Sequence, residues 1–244
     1  MSSEKPRVYL ILGAAGSGRR EIVADLIDGG LVAADRALAL LSANEPSSVA
    51  DARLGRLARW VWTDGCIGSP DLAGATHVFL FTDGRRNPVD QVEAFQRWLA
   101  ASGGKLARIL CFIHCGLVAK HKELLAWCDA CVHFADVVLL TRRDGVPNKW
   151  MSDFQGRYAA QFLPCLFELV KAGRVENPAL ILEPEARRMS HLFDDEPNWE
   201  ITGAGGEGVD EEEIAAQPEE DPYLQRRAGG RRVKEIPDVE KFLA

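Results

Sequence analysis

The chain has 244 residues, 47% of them hydrophobic, six cysteines and a formal net charge of −7. That length suits one α/β domain with a sizeable core, plus a tail. No apolar run reaches the length of a membrane span, no secretory signal is visible at the N-terminus, and the charge gives no reason to expect a nucleic-acid partner. Six cysteines without a signal imply a reducing, cytoplasmic setting rather than a disulfide framework.

Val8-Tyr9-Leu10-Ile11-Leu12 is an apolar run that predicts a strand over 7–12. Gly13-Ala14-Ala15-Gly16-Ser17-Gly18-Arg19-Arg20 follows, and a helical pattern then covers 18–28. Strand, glycine turn and helix is the setting of a phosphate-binding P-loop, and the Gly-x4-Gly spacing is intact. Gly13, Gly16 and Gly18 let backbone N–H groups converge on an anion at the positive end of a helix. A P-loop ends in Lys and then Ser or Thr; here Arg19 and Arg20 stand there. Arg19 offers charge and a planar fork to phosphate, whereas Arg20 cannot bind a cation, which leaves magnesium in doubt. Binding is thus easier to defend than hydrolysis. The plainer alternative is a tight structural turn.

Residues 37–41 fit a buried strand or a short helix. Arg59-Trp60-Val61-Trp62 predicts a short strand, and 76–81 a buried one that ends at Asp83-Gly84. Pro88 opens a helix to about Leu99. Further elements are a strand over 107–113, a helix over about 117–130, a strand over 136–140, a helix over 150–171 and an edge strand over 178–182.

Apolar strands alternating with helices predict an α/β fold: a P-loop NTPase-like, doubly wound, mostly parallel sheet with helices on both faces. Ligands of such sheets sit at the carboxyl ends of the strands. The glycine turn, Asp83-Gly84 and 141–144 all fall there.

Residues 1–183 form this domain. Residues 184–244 form an acidic tail with 16 acidic and 8 basic side chains. Twelve of the acidic residues lie in 194–221, which has no Lys or Arg and predicts disorder. Apolar residues return after 221, as in a short docking segment for a protein partner.

In order and spacing, the segments over roughly 7–170 resemble the CobW-like branch of the metallochaperone P-loop GTPases. The phosphate loop matches 13–20, and an Asn-Glu segment matches Asn44-Glu45, with Asp51 beyond. The Asn-Gly-Cys-Ile-Cys-Cys metal motif matches Asp64-Gly65-Cys66-Ile67-Gly68-Ser69, which keeps one cysteine of three. The Glu-Thr-Thr-Gly segment matches Phe81-Thr82-Asp83-Gly84, and the base-recognition segment matches Thr141-Arg142-Arg143-Asp144. The resemblance implies GTP or GDP as ligand. Asp144 would accept from the guanine edge, Arg142 would cover the ring and Thr141 would stand at the allowed Asn/Thr position. The departures fall on the chemistry: one thiolate is too few for a zinc or cobalt site, so no metal is assigned.

The expectation is a divergent pseudo-GTPase: it binds nucleotide with weak or no hydrolysis and serves a regulatory or scaffold role. Two alternatives stand. One is an interaction module that binds no nucleotide. The other is an active NTPase or phosphotransferase with Arg19 in place of the Lys; an intact magnesium ligand such as Asn44, Glu45 or Asp83 would favour it. Cys128-Asp129-Ala130-Cys131, with nearby cysteines and histidines, reads as buried small hydrophobes more readily than as a metal cluster.

Overall fold

A computed structural model describes residues 5–194 and 220–243. Eight strands form one sheet in the order β4-β3-β2-β5-β1-β6-β7-β8. The strands are β1 (Arg7–Gly13), β2 (Ala37–Ser42), β3 (Arg56–Thr63), β4 (Cys66–Gly68), β5 (His77–Phe81), β6 (Lys105–His114), β7 (Val137–Thr141) and β8 (Leu166–Leu169). All neighbours pair in parallel except β3 and β4, which form an antiparallel hairpin.

Alternate side chains of a strand face opposite sides of the sheet. Val8, Leu10 and Leu12 of β1 therefore join one core, and Tyr9 and Ile11 the other. The first core is closed by α2 (Pro88–Ser102), α4 (Leu125–Phe134) and α5 (Asn148–Ala159); the second by α1 (Arg19–Gly30) and the short α6 (Pro178–Leu182). The fold is a doubly wound α/β sheet with helices on both faces, and β1 and its glycine turn lie near its centre.

One open expectation is decided and several others are corrected. Residues 37–41 are strand β2, since they pair on both sides. The helix over 117–130 is broken. His114 caps α3 (Cys115–Lys120), with its Nδ1 accepting from Leu117 N–H at 3.1 Å, and His121 then leaves the helical region before α4 begins. The helix expected over 150–171 stops at Ala159. Phe162 takes a left-handed φ of 54° and Pro164 lacks a donor, so the chain turns back and pairs β8 with β7. The expected edge strand at 178–182 is helix α6. Asn177 caps it, accepting from Leu180 N–H at 3.2 Å, and Pro178 opens it. Its last carbonyls find Tyr9 and Arg108: the Tyr9 hydroxyl donates to Leu182 O at 2.7 Å and Arg108 to Leu180 O at 2.7 Å.

The chain beyond residue 183 continues on the same core. Buried Asp136 accepts from Arg187 N–H at 2.6 Å and pairs with Arg188 at 3.3 Å. Residues 220–243 return to the sheet face carrying α2 and α4. Tyr223 and Val239 are buried there, Arg232 bridges Asp90 and Glu93 at 2.6 Å each, and Asp221 meets His133 at 2.8 Å. The acidic stretch expected to be disordered falls largely on 195–219, outside the described residues.

Candidate phosphate and base clefts

The loops that follow β1, β2, β5, β7 and β8 lie at one rim of the sheet, at the carboxyl ends of its parallel strands. The loop after β1 carries Gly16 and Gly18 in left-handed conformations, φ 79° and 82°. Gly18 is the N-cap of α1 and has no side chain to cap it, so the first-turn N–H groups of α1 open into the rim. Ser17 is fully buried, and its hydroxyl has no partner among the described residues.

The two arginines after Gly18 direct their guanidinium groups to the loop after β2. Arg19 is buried; it donates to Thr82 O at 2.7 Å and to Glu45 Oε1 at 2.6 Å. Arg20 donates to Glu45 Oε2 at 2.6 Å, to Pro46 O at 2.7 Å and to Asp51 at 3.1 Å. One carboxylate is thus held by two guanidinium groups, each on its own oxygen. Gly84 N–H adds a third bond to Glu45 at 3.1 Å, and Gly84 O accepts from Ala15 N–H at 2.9 Å. Burial by itself would raise the Glu45 pKa. The Arg19 charge, the Arg20 hydrogen bond and the Gly84 N–H outweigh it and hold the carboxyl below its ordinary value.

Gly84 is required for space. A Cβ there would lie 2.6 Å from Arg19 Nη2 and 2.9 Å from Ala14 C, with Ala15 N closer still. The Asp83-Gly84 turn, the glycine loop and Arg19 are packed as one unit. Asp83 is itself buried; it accepts from Arg85 N–H at 3.0 Å and pairs with Arg86 at 3.2 Å.

In front of this unit lies a cleft of about 250 Å³ lined by Gly16, Ser17, Gly18, Ser48 and Arg85 among others. Arg19 and Arg20 border it, but their guanidinium groups are engaged with Glu45. The Arg85 guanidinium is exposed and has no partner among the described residues.

A second cleft, about 400 Å³, runs between Ser17, Thr141, Asp144 and the 170–173 loop after β8. Thr141 is buried and donates to Ile113 O at 2.9 Å. Asp144 is exposed on the wall, without a partner among the described residues. Arg142 separates the two clefts. Its backbone is left-handed, φ 48°, with its carbonyl accepting from Gly116 N–H at 3.1 Å. Its Nε donates to Gly16 O at 3.2 Å and its guanidinium lies against Gly18. The expected residues of the glycine turn, the Asp83-Gly84 turn and the 141–144 segment are therefore brought to one rim.

The sequence points to Glu45 but not to its role as a clamp, and it hides the 170–173 wall because 166–169 fits a helical pattern as well as a strand. Arg85 stands beside Arg86 in the sequence, and that pair is the signal that could have found it.

Elsewhere, Cys66 is exposed on β4, and Ser69, at a cysteine position of the metal motif, accepts from Trp98 at 2.7 Å. Cys128 and Cys131 are fully buried, which drives both thiol pKa values well up, so they behave as core residues. Among the described residues, no three His, Cys, Asp or Glu side chains converge on a common point, and no helix is long and apolar enough to cross a membrane. A cavity of about 700 Å³ lies at the opposite end of the strands near Arg7, Tyr9 and His77, away from the glycine loop.

Fold and rim together define a doubly wound, mostly parallel α/β protein with a glycine-rich strand-turn-helix at its centre. No protein-family model and no curated protein matches the sequence. Two solved structures are similar in fold. One is the Zn(II)-bound YjiA GTPase from E. coli: 13% identical, covering 76% of this chain and 67% of that one, TM-score 0.44. The other is a Zn(II)-bound triple mutant of YjiA GTPase: 14% identical, covering 75% and 67%, TM-score 0.46.

Proposed function

We propose that this protein binds a nucleotide, with guanine as the base, across the two clefts, and hydrolyses it slowly or not at all. The role that fits such a site is regulatory or structural: a domain whose partner affinity depends on the bound nucleotide. The observation that carries the reading is the division of labour at the glycine loop. Arg85 and the first-turn backbone donors of α1 face the cleft, with buried Ser17 on its lining, while Arg19 and Arg20 both bind Glu45.

Phosphoryl transfer depends on charge placed against the transferring group. Arg19, at the position of the P-loop Lys, directs its guanidinium to Thr82 and Glu45 instead. That argues against the phosphotransferase alternative. For the base, Asp144 offers an exposed carboxylate on the wall of the second cleft, which would accept from the ring N–H and exocyclic amine of guanine. The six free cysteines suit a reducing, cytoplasmic setting. A protein partner would meet the C-terminal segment in its docked form, beside α2.

The test is calorimetric titration with GTP, GDP and ATP, paired with a phosphate-release assay. Guanine nucleotides should bind better than ATP, and release should stay near the uncatalysed rate. Robust turnover abolished by Arg19→Ala would promote the phosphotransferase. Flat titrations with every nucleotide would leave an interaction module.

A further inference from the structure

P-loop sites that hold magnesium use a Ser or Thr hydroxyl after the Lys, helped by nearby carboxylates. The donor set here does not fit that ion. Arg20 stands at the hydroxyl position. The nearby carboxylates are already engaged: Glu45 by Arg19, Arg20 and Gly84 N–H; Asp51 by Arg20 and, at 3.7 Å, Arg59; Asp83 by Arg86 and Arg85 N–H; and Glu21, half-exposed at the cleft edge, by Arg142 at 3.6 Å. Admitting a dication would mean expelling a guanidinium and leaving two others beside it, a like-charge cost in a shielded site.

The same network carries positive charge of its own. Arg19, Arg20 and Arg59 surround Glu45 and Asp51, three cations around two anions, so the floor keeps one net positive charge. Arg20 is fixed by three acceptors, and Arg59 donates to Glu45 O at 2.8 Å and Ser42 O at 3.0 Å. Arg85 adds an exposed guanidinium at the mouth. An independent sign of a ligand is the Ser17 hydroxyl, fully buried at the loop and unpartnered among the described residues; a buried hydroxyl without a partner is costly unless something supplies one.

We infer that the phosphate cleft takes its oxyanion ligand without a metal ion: a metal-free nucleoside di- or triphosphate, with the arginine-clamped floor in place of magnesium and Arg85 as the direct counter-charge. This rests on the nucleotide reading above and specifies the form of the ligand. Ser17 and the first-turn N–H groups of α1 donate to the phosphate, and Arg85 closes on its outer oxygens. Arg20 acts through Glu45 and Asp51 as a positioning residue.

The experiment is titration of the full chain with GDP and with GTP, in EDTA and in excess magnesium chloride. The two conditions should give dissociation constants within about threefold of each other. Arg85→Ala should weaken binding in both conditions by about tenfold or more, as for loss of a charge-assisted hydrogen bond. Arg20→Ser, checked for folding by its melting temperature, should bind more weakly than the native protein in EDTA and recover with magnesium, since it removes the clamp and supplies a hydroxyl. Tightening of native binding by magnesium of about tenfold or more would overturn the inference and leave the nucleotide reading standing. So would an Arg20→Ser variant that binds as the native protein does in EDTA. Binding in neither condition would remove the nucleotide reading itself.

Discussion

Arg19 and Glu45 form a 2.6 Å ion pair whose side chains are 4% and 8% exposed. It joins the first turn of α1 to the loop after β2, directly behind the glycine turn. A pair so shielded is costly to break, because the survivor keeps its charge without a partner. Glu45→Gln should therefore destabilise the fold by about 3 kcal/mol, read from the denaturant midpoint at neutral pH. Arg19→Ala should cost a similar amount. A change below about 0.5 kcal/mol in both variants would show that the clamp contributes nothing.

Acid should reveal the same group. Glu45 and Asp221 are both held below their ordinary values: in each, burial acts upward and is outweighed, by Arg19, Arg20 and Gly84 N–H for Glu45, and by His133, Ser190 and Tyr223 N–H for Asp221. A carboxyl depressed in the fold stabilises it above the unfolded pKa, and that contribution is lost as pH falls through the folded value. Stability should thus decline as pH drops below the ordinary glutamate value of 4.5. Glu45→Gln should decline less steeply over the same range, followed by circular dichroism at fixed denaturant.

Gly84→Ala tests the packing of the turn against the loop. The added methyl would meet Ala14, Ala15 and Arg19 at distances that force backbone to move. The expected loss is about 1–3 kcal/mol, with nucleotide affinity falling alongside it. Gly145→Ala is the control for a glycine on the same rim: its φ is 76°, but nothing lies near its added Cβ. It should cost only about 1 kcal/mol of backbone strain.

How much of this was legible in the sequence follows the physics of each element. β1, β5, β6 and β7 are buried on both faces, so their continuous apolar runs announced them. β8 was not legible, because Leu166-Phe167-Glu168-Leu169 fits a helix face as well as a strand, and only its parallel pairing with β7 decides. α6 was missed for the converse reason: five apolar residues look like an edge strand until the Asn177 cap is seen. The rim was found from glycine spacing and strand ends. The direction of Arg19 was not, since its partner Glu45 lies 26 residues away and is brought in by the parallel sheet.

The C-terminal segment should matter for stability. Tyr223 is buried against His133 and Phe134 with Lys234 over its ring, and Arg232 joins the segment to α2. Tyr223→Ala should cost about 2–4 kcal/mol, by the loss of a buried aromatic. Arg232→Ala should raise hydrogen exchange in 220–243 and leave the β1–β5–β6 centre protected. Unchanged exchange in that segment would mean that the bridge to Asp90 and Glu93 does not hold it.

The base cleft makes a separate prediction. Asp144 is exposed and unpartnered among the described residues, so Asp144→Ala should change stability by less than about 0.5 kcal/mol. It should erase any preference for guanine over adenine nucleotides, since a carboxylate that reads two donors discriminates against a base lacking them. A retained preference would place base recognition elsewhere.

The most direct test of the central claim is a calorimetric titration of the native protein with GDP, with ADP as the comparison. GDP should bind saturably at one site per chain, and ADP more weakly. Equal binding of the two would contradict guanine recognition, and flat heats with both at millimolar concentration would contradict nucleotide binding altogether.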